Sequence, residues 1–516
     1  MTPPVIVVGA GPTGLSAAYH LGEDTLLIEQ CDRVGGWCRS VEVNGFTFDH
    51  AGHILFSNEP YVHALYQLLL GDNIHWQDRE AWIFSKGVFT RYPFQGALYG
   101  LPPAVIKECI LGTIEARFGS VDGPAYADGG ANGRAAERPA ADNGHRHPMP
   151  RCGASAAGAE RIEDCCADGL LEATAHLGAQ RARGSAPRNF EEFIYATWGA
   201  GIARHFAIPY NRKLWAVPLA EMETSWLGGR VPMPELGEII EGALQPVPKP
   251  MGPNARFGYV LRGGCQALMD GFLPHLRGEL HLRTQVVAVS VHRRTVTTDG
   301  GEVLPYRALI STVPLPALVR MIGAEAPAAV RRAAAALRHV SVRCVNLGIG
   351  RAGLTEKHWI YYPEDTVFHR IFVQGNASPY CNPPGGFGLT CEITYSTHKP
   401  LPCDGDALIQ RCIDDCRRVG LFTERDPIWA ANQLDLPYAY VVYDHARAQN
   451  VKAIREWLSG HDIVLAGRYS EWEYYNSDHA FIAGRTAAET VRHIENRTPG
   501  PSPAAKEHAC PSAPSP

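Results

Sequence analysis

The first thirty residues alternate between short apolar runs and a helical pattern. Residues 5–8 and 25–28 are apolar and rich in β-branched or leucine side chains, and residues 15–21 lie between them with helical character. A strand, a helix and a second strand in this order are typical of a Rossmann-like βαβ unit. The chain is therefore predicted to begin as an α/β domain.

Similar patterns continue along the rest of the chain. An apolar run ending in a turn predicts a buried strand over 308–314, a strand pair is predicted over 84–92, and alternation over 341–396 predicts a sheet. Helical periodicity predicts helices over 59–71, 191–203, 234–244 and 404–419. The fold class is thus an α/β protein with a discontinuous Rossmann-like cofactor domain, a helical domain and an antiparallel-sheet substrate domain.

Composition sets the domain boundaries that we predict. Residues 119–187 are rich in Ala, Gly, Arg, Pro and Asp and hold few large apolar groups, so burial cannot offset ordering entropy. We predict a disordered insertion there, with a short helix near 170–177, and a disordered Pro/Ser/Ala-rich tail over 497–516. The remaining predictions are a cofactor domain over 1–80, 256–320 and 455–496, a helical substrate domain over 81–118 and 188–255, and a mixed-sheet substrate domain over 321–454.

The first strand leads into a Gly-x-Gly-x-x-Gly turn formed by Gly9, Gly11 and Gly14, with Pro12 and Thr13 between them. In a βαβ unit these glycines permit a tight turn, close approach of the backbone to a pyrophosphate, and close packing of helix on strand. Glu29 ends the second strand, where a carboxylate accepts a hydrogen bond from a ribose hydroxyl. The pattern predicts a dinucleotide site.

A second glycine pair, Gly35 and Gly36, follows Glu29 and distinguishes flavin from nicotinamide. This arrangement resembles FAD-dependent oxidases, a class that includes amine oxidases, protoporphyrinogen oxidases and sugar mutases, although Trp37 departs from its usual smaller residue. Later segments recur in the same order in that class: 262–264, 308–314, 467–472 and 478–479. The resemblance implies FAD, with contacts from Gly52, His53, Val286, Gly467, Arg468, Asp478 and His479.

Charge and cysteine content exclude several other classes. The net charge of −5 over 516 residues argues against nucleic acid as a partner, and the chain lacks an apolar run of eighteen residues. The fourteen cysteines form no Cys-x-x-Cys pair and match no common zinc spacing, so we predict free thiols, no metal and a cytoplasmic location. We expect no membrane partner. The sequence is compatible with a homo-oligomer as well as with a monomer.

Aromatic, amide and guanidinium groups outside the FAD segments indicate a nucleotide-sugar site, in which a base stacks on rings and arginines hold a diphosphate. The stretches that carry these groups resemble UDP-galactopyranose mutases, and the eukaryotic type more than the bacterial type. The resemblance lies in segments 52–56, 92–95, 209–211, 214–218, 226–228, 252–254, 362–365 and 478–479. Ala51 and Gly229 depart from that family's pattern.

The resemblance implies a role for each site residue. Arg230 and Arg370 would clamp the diphosphate and, with His53 against the flavin, serve catalysis. Tyr92, Gln95, Tyr210 and Asn211 would hold the uridine. The other substrate-binding residues implied are Trp215 and Asn254 at the sugar, Tyr361 and Tyr440 at the phosphates, and Tyr474 and Asn476. Each aromatic residue has packing as an alternative role, and His53 could instead be a structural loop residue.

The activity implied is that of a flavin-dependent, redox-neutral isomerase. It would interconvert UDP-galactopyranose, or a related nucleotide-pyranose, and the furanose through an adduct between the sugar and N5 of reduced FAD. NADPH or NADH would supply the electrons that reduce the flavin. Two alternatives stay open: an FAD-dependent oxidoreductase with net redox chemistry, and a flavoprotein used only for binding.

Overall fold

The computed structural model describes residues 3–120, 186–228, 233–247 and 255–497. The predictions for the body of the 119–187 insertion, for the tail, and for Arg230 and Asn254 lie outside these residues.

The described residues form strands and helices in runs, with up to five strands or four helices in succession. The strands are β1 (Val5–Val8), β2 (Thr25–Ile28), β3 (Ser40–Val43), β4 (Phe46–Asp49), β5 (Ile74–Asp78), β6 (Ala81–Ser85), β7 (Val88–Arg91), β8 (Arg256–Val260), β9 (Glu279–His281), β10 (Val286–Ser290), β11 (Thr295–Thr298), β12 (Val303–Pro305), β13 (Ala308–Ser311), β14 (His339–Ile349), β15 (Trp359–Tyr361), β16 (Arg370–Phe372), β17 (Phe387–Tyr395), β18 (Ile428–Val441) and β19 (Ile463–Leu465). The helices are α1 (Pro12–Leu21), α2 (Pro60–Leu70), α3 (Pro103–Phe118), α4 (Phe190–Ile202), α5 (Ile208–Trp215), α6 (Leu236–Leu244), α7 (Gly264–Asp270), α8 (Leu315–Ile322), α9 (Ala328–Ala335), α10 (Gln374–Ala377), α11 (Asp406–Arg418), α12 (Arg447–Ser459) and α13 (Ser477–Arg497).

A parallel sheet in the order β19-β13-β1-β2-β9 forms the cofactor side of the molecule. Its strands come from the start, middle and end of the chain, and α1 packs against α13 beside them. Strand β1 is fully buried between β2 and β13 because all four of its side chains are apolar. The fold class is therefore confirmed, including a Rossmann-like sheet assembled from distant segments.

A second large sheet has seven strands in the order β18-β14-β17-β16-β15-β6-β7. The segment predicted to alternate over 341–396 supplies four of its strands, and the predicted pair over 84–92 supplies β6 and the edge strand β7. Neighbouring strands are antiparallel except β6 and β15, which pair in parallel. That exception joins two regions of sequence more than 250 residues apart, which no local pattern encodes.

The segment containing Tyr210 and Trp215 forms a helix, α5, which a π-helical turn over Ala203–Ala207 joins to α4. The helix places Asn211 with its amide nitrogen 2.8 Å from the carbonyl oxygen of Ala207. Because Tyr210 lies in this helix, its ring packs edge-on against the ring of Tyr361 on β15.

Within the part of the chain that the structure describes, helices long and apolar enough to cross a membrane are absent.

The turn between β1 and α1 predicts the effect of a substitution. A Cβ atom built on Gly14 would lie 1.8 Å from the carbonyl oxygen of Gly9, so Gly14→Ala must separate α1 from β1. We expect purified Gly14→Ala to lose most of its bound flavin, measured as the ratio of flavin absorbance to protein. Gly237→Ala, at an exposed helical position with nothing within 4 Å, is the matched control. It should keep the flavin and gain about 0.5–1 kcal/mol in stability. Full flavin content in Gly14→Ala would contradict the predicted close packing.

Candidate functional site

The glycine turn and Glu29 form one end of a cavity of about 730 Å³. Glu29 is buried, and its two carboxylate oxygens accept hydrogen bonds from the backbone nitrogens of Ala10 at 2.8 Å and Cys31 at 2.9 Å. Gly36 faces Gly11 across the same end, where an added Cβ would lie 3.1 Å from the Gly11 Cα. These contacts leave a strip of backbone without side chains, as a dinucleotide requires. The residues present therefore fit FAD.

Most of the cofactor-binding residues that the sequence predicts line this cavity. They are Gly9, Gly11, Pro12, Thr13, Glu29, Gly36, Gly52, His53, Val286, Gly467 and Arg468. Gly14 lies behind the turn, and Gly35 packs against Arg39 and Met269. Asp478 holds the His479 ring through a hydrogen bond of 2.8 Å between its Oδ1 and the imidazole Nδ1. Gly14, Gly35, Asp478 and His479 therefore do not line the cavity, but they support the residues that do.

His53 lies on a loop that follows β4, and its surroundings favour its protonated form. Burial acts to lower the pKa of His53, but the sulfur of Cys38, with smaller contributions from Asp49 and the Ala51 carbonyl, raises it to about 9. The His53 Nδ1 lies 3.1 Å from the carbonyl oxygen of Ala51. Both His53 and Cys38 line the cavity. The loop thus supplies a cation at neutral pH.

Arg370 lies on β16 directly opposite Glu392 on β17, and the two side chains form a buried ion pair. The Glu392 side chain is 1% exposed and that of Arg370 is 19% exposed. The Arg370 Nε donates to a Glu392 oxygen at 3.2 Å, and the Nη2 also contacts that oxygen. Burial opposes the charge on Arg370, yet Glu392 raises the pKa of this guanidinium above its usual value. Both residues line the cavity.

The sequence analysis did not identify Glu392, although a single charged residue within an apolar strand indicates a buried carboxylate that needs a partner. Strand β17 is buried along nearly its whole length, and Glu392 is its one charged residue. A carboxylate in such a strand needs a cation or hydrogen-bond donors. The backbone nitrogen of Gly52 also lies 3.4 Å from the second Glu392 oxygen. Glu392 therefore connects the loop that carries His53 to Arg370.

Three tyrosines predicted to bind substrate form one aromatic group. Tyr92 stacks on Tyr361 with ring centroids 5.0 Å apart, and Tyr210 meets Tyr361 edge-on at 5.5 Å. Gln95 is buried in the turn after Tyr92. Tyr92, Tyr210 and Tyr361 are not among the residues that line the cavity, but the group meets its wall at Arg79, whose Nη2 lies 2.9 Å from the Tyr361 hydroxyl. The structure thus brings the predicted uridine-binding tyrosines together.

A second aromatic group adjoins Arg370. Tyr440 stacks on Tyr474 at 6.0 Å, and the edge of Trp215 meets Tyr440 at 5.8 Å. The Arg370 Nη2 lies 3.5 Å from the Tyr440 hydroxyl. Tyr440, Tyr474 and Asn476 line the cavity, whereas Trp215 is buried behind them. Burial raises the pKa of Tyr440, so its hydroxyl stays a hydrogen-bond donor at neutral pH.

Four further arginines line the cavity: Arg39, Arg79, Arg320 and Arg468. Arg468, which the sequence predicts at the cofactor, donates to the carbonyl oxygens of Tyr475 at 2.6 Å and Ala439 at 2.9 Å. Arg79 was not predicted; its Nη2 donates to the Tyr361 hydroxyl at 2.9 Å. Its signal in the sequence was weak, because an arginine after an exposed strand is usually a surface charge.

Two family models match the chain. One describes an NAD(P)-binding Rossmann-like domain and matches residues 7–69, and the other describes a flavin containing amine oxidoreductase and matches residues 221–492. The second match covers more than half of the chain. The protein therefore belongs to the flavin-containing amine oxidoreductases, a family of flavoproteins.

Within that family, the chain is related to UDP-galactopyranose mutase, as the sequence resemblance indicated. A crystal structure of reduced UDP-galactopyranose mutase matches with a TM-score of 0.78 and 27% identity over 96% of this chain and 95% of that one. A wild-type putrescine oxidase bound to putrescine matches with a TM-score of 0.58 and 15% identity, over 96% of this chain and 100% of the oxidase, which shows the shared fold alone.

A curated relative matches only a short segment of the chain. Protoporphyrinogen oxidase 2 of Arabidopsis thaliana is 44% identical over 64 residues, which is 12% of this chain and 13% of the plant protein. Because so little of the plant protein is matched, the similarity shows one shared segment and does not extend to the activity of the plant protein.

The environment of His53 predicts how stability depends on pH. Its pKa of about 9 in the folded protein lies above the ordinary value of 6.5, so protonation stabilises the fold. This contribution is fully present below pH 6.5 and is lost as pH rises through 9. Cys38→Ala removes the main cause of the shift, and we expect it to flatten the decline in unfolding free energy between these pH values. The measurement is denaturant unfolding of the flavin-loaded protein across that range.

Cys403→Ala, at a cysteine that does not line the cavity, is the control for the loss of a thiol and should leave the pH profile unchanged. Identical pH profiles for the wild type and Cys38→Ala would refute the assigned pairing of Cys38 with His53.

Proposed function

We propose that this flavoprotein is a redox-neutral isomerase that interconverts a nucleotide-pyranose and its furanose, with UDP-galactopyranose or a related sugar as substrate. One observation carries the proposal: Arg370, Tyr440 and Tyr474 line the same cavity as the glycine turn and His53. Phosphate-binding groups and the cofactor cradle therefore face one shared space. The similarity to UDP-galactopyranose mutase over nearly the whole chain supports the same conclusion.

Reduced FAD, when bound, would supply an electron-rich nitrogen that attacks the sugar. The chain would supply the groups that make the nucleotide a good leaving group. As the bond between the sugar and the phosphate breaks, negative charge grows on a phosphate oxygen, and a preorganised guanidinium stabilises it. Arg370 is held for this role by Glu392, and Tyr440 offers a hydroxyl donor beside it.

The two tyrosine groups would hold the nucleotide and exclude water. Tyr92 and Tyr210 lie next to Tyr361, where a uracil ring would find aromatic faces and the buried amide of Gln95. Arg230 and Asn254 keep the roles that the resemblance implies, as the second phosphate clamp and a sugar contact. NADPH or NADH stays the proposed reductant, and the cytoplasm the proposed compartment.

The second candidate is an oxidoreductase with net redox chemistry, favoured by the family match and by the fold shared with putrescine oxidase. The phosphate-binding groups argue against it, since an amine substrate has no need of the cation formed by Arg370. Anaerobic incubation of the dithionite-reduced protein with UDP-galactopyranose separates the two candidates. Furanose signals in NMR without further consumption of reductant support the isomerase. Failure to form a furanose, together with oxidation of the substrate and oxygen uptake when the oxidised protein is incubated in air, would replace it with the oxidoreductase.

The identity of the sugar is tested in the same assay. A panel of UDP-linked and other nucleotide-linked hexoses and pentoses should show one preferred substrate that yields a furanose. Absence of any isomer across the panel, with no nucleotide-induced change in the flavin spectrum, would favour a flavoprotein used only for binding.

Arg370→Ala tests the role of the guanidinium. Loss of a preorganised charge donor costs about 3–4 kcal/mol of barrier, so we expect turnover to fall about 10²–10³-fold while flavin content stays normal. Arg351→Gln is the control, because Arg351 pairs with Asp426 away from the cavity and its loss should leave turnover unchanged. Near-wild-type turnover in Arg370→Ala would count against the proposed mechanism.

A further inference from the structure

His369 is a buried histidine that directly precedes Arg370 in the chain. Its side chain is fully buried, and neither ring nitrogen has a hydrogen-bond partner among the described residues. Its backbone is fixed, because its nitrogen donates to the carbonyl oxygen of Glu392 at 3.0 Å and its carbonyl oxygen accepts from the Tyr362 nitrogen at 2.9 Å. Buried polar side chains without a partner are rare in folded proteins, so these two ring nitrogens need an explanation.

The imidazole of His369 lies beside the carboxylate that holds Arg370. The His369 Nε2 is 3.9 Å from Oε2 of Glu392, which is about 1 Å too long for a hydrogen bond. The same oxygen accepts from the Arg370 Nε and Nη2, whereas Oε1 of Glu392 lies 3.4 Å from the Gly52 nitrogen. His369 and Arg370 therefore approach one oxygen atom, and Arg370 occupies it.

His369 is a neutral hydrogen-bond donor. Burial and the positive charge of Arg370 hold the pKa of His369 well below its usual value, and the ammonium groups of Lys213 and Lys399 act in the same direction. A neutral imidazole carries its proton on one of its two nitrogens. A lone pair on Nε2 would be repelled by the Glu392 carboxylate, so the tautomer with the proton on Nε2 is favoured. His369 can therefore donate to Glu392 without any proton transfer.

Arg370 is the cavity arginine whose charge a carboxylate holds. Five arginines line the cavity among the described residues: Arg39, Arg79, Arg320, Arg370 and Arg468. The other four donate to backbone carbonyl oxygens or to tyrosine hydroxyls. Of the five, Arg370 alone forms an ion pair within the part of the chain that the structure describes. It must therefore exchange part of its contact with Glu392 before two nitrogens of its fork can bind another anion.

We propose that His369 is a positioning residue that releases Arg370 to the phosphate of the nucleotide. When phosphate reaches Arg370, His369 donates its Nε2–H to Oε2 of Glu392 and takes the place of the Arg370 Nη2, while the Arg370 Nε stays on the carboxylate. The Nη2 already lies 3.5 Å from the Tyr440 hydroxyl on the cavity wall, so a small rotation carries it to the ligand. The role rests on the proposed function, because it assumes a ligand that contains phosphate.

The test separates phosphate binding from packing. Uridine and UDP are titrated by calorimetry into the oxidised, flavin-loaded protein. His369→Phe keeps a ring without a donor, and we expect UDP affinity to fall about tenfold while uridine affinity stays within about twofold, because a hydrogen bond to a charged group is lost. His369→Gln places an amide N–H near the position of Nε2 and should restore most of the UDP affinity.

Thr394→Val is the matched control. Thr394 lies on β17 two residues after Glu392, is fully buried, and has a hydroxyl without a hydrogen-bond partner among the described residues. It does not line the cavity. The substitution removes a buried polar group from the same strand and leaves the contact with Arg370 in place, so the variant should bind both ligands as the wild type does.

A second measurement tests whether His369 acts through Arg370. In the Arg370→Ala protein, the guanidinium that His369 releases is missing. Adding His369→Phe to that protein should therefore change UDP affinity by less than about twofold. Flavin content and the midpoint of thermal unfolding are measured for every variant, so that a loss of folding is separated from a loss of binding.

Each other outcome has a defined meaning. Unchanged UDP affinity in His369→Phe overturns the positioning role. An equal loss for uridine and UDP, a failure of His369→Gln to restore binding, or an undiminished effect in the Arg370→Ala protein also overturns it, because each indicates packing. If the wild type does not bind UDP, both this role and the proposed function are refuted. If UDP binding depends on His369 but no furanose forms, the role stands and the isomerase activity fails. If furanose forms and UDP binding does not depend on His369, the isomerase stands and the role fails.

Discussion

The buried Glu392 carboxylate is the interaction on which the site depends. Its two oxygens contact Arg370 across the β16–β17 register and the Gly52 nitrogen of the loop that carries His53. A buried ion pair of this kind contributes little net stability, because desolvation offsets the attraction, but removing one partner leaves an uncompensated charge. The pair therefore fixes geometry more than it stabilises the fold. It sets the distance between the Arg370 guanidinium, which we propose binds phosphate, and the loop that carries His53.

A second buried carboxylate, Asp49, fixes the other side of that loop. Asp49 accepts hydrogen bonds from the Tyr259 hydroxyl at 2.6 Å, the Ser40 hydroxyl at 2.6 Å and the Cys265 nitrogen at 3.0 Å. These donors lie on β8, β3 and the start of α7, so Asp49 joins segments that are more than 200 residues apart. With both ends held by buried carboxylates, the loop over residues 50–53 presents His53 to the cavity in one arrangement. Ala51 has a positive φ of 68° there, a conformation that favours glycine and matches the glycine expected from the family pattern.

The elements nearest the N-terminus were predictable because their signals are local. The β1–α1 turn, β2 and Glu29 lie within one short stretch, and steric limits at glycine dictate their geometry. The helices α2, α6 and α11 followed from periodicity alone. The π-turn before α5 did not, since it depends on how Phe206 and Tyr210 stack against each other in the folded core. The pairing of Tyr92 with Tyr361 likewise needed the parallel contact of β6 with β15.

The sequence by itself determined the class of cofactor, the α/β architecture and the residue types at the nucleotide end, since short-range spacing and side-chain chemistry encode all three. Tertiary structure decided which charged side chains meet a partner of opposite charge. Arg370 and Arg79 look alike as arginines in the sequence, but only strand register pairs Arg370 with Glu392 and leaves Arg79 against Trp359. Charge compensation is a long-range property, because the partners come from different strands and meet only when the sheet has formed.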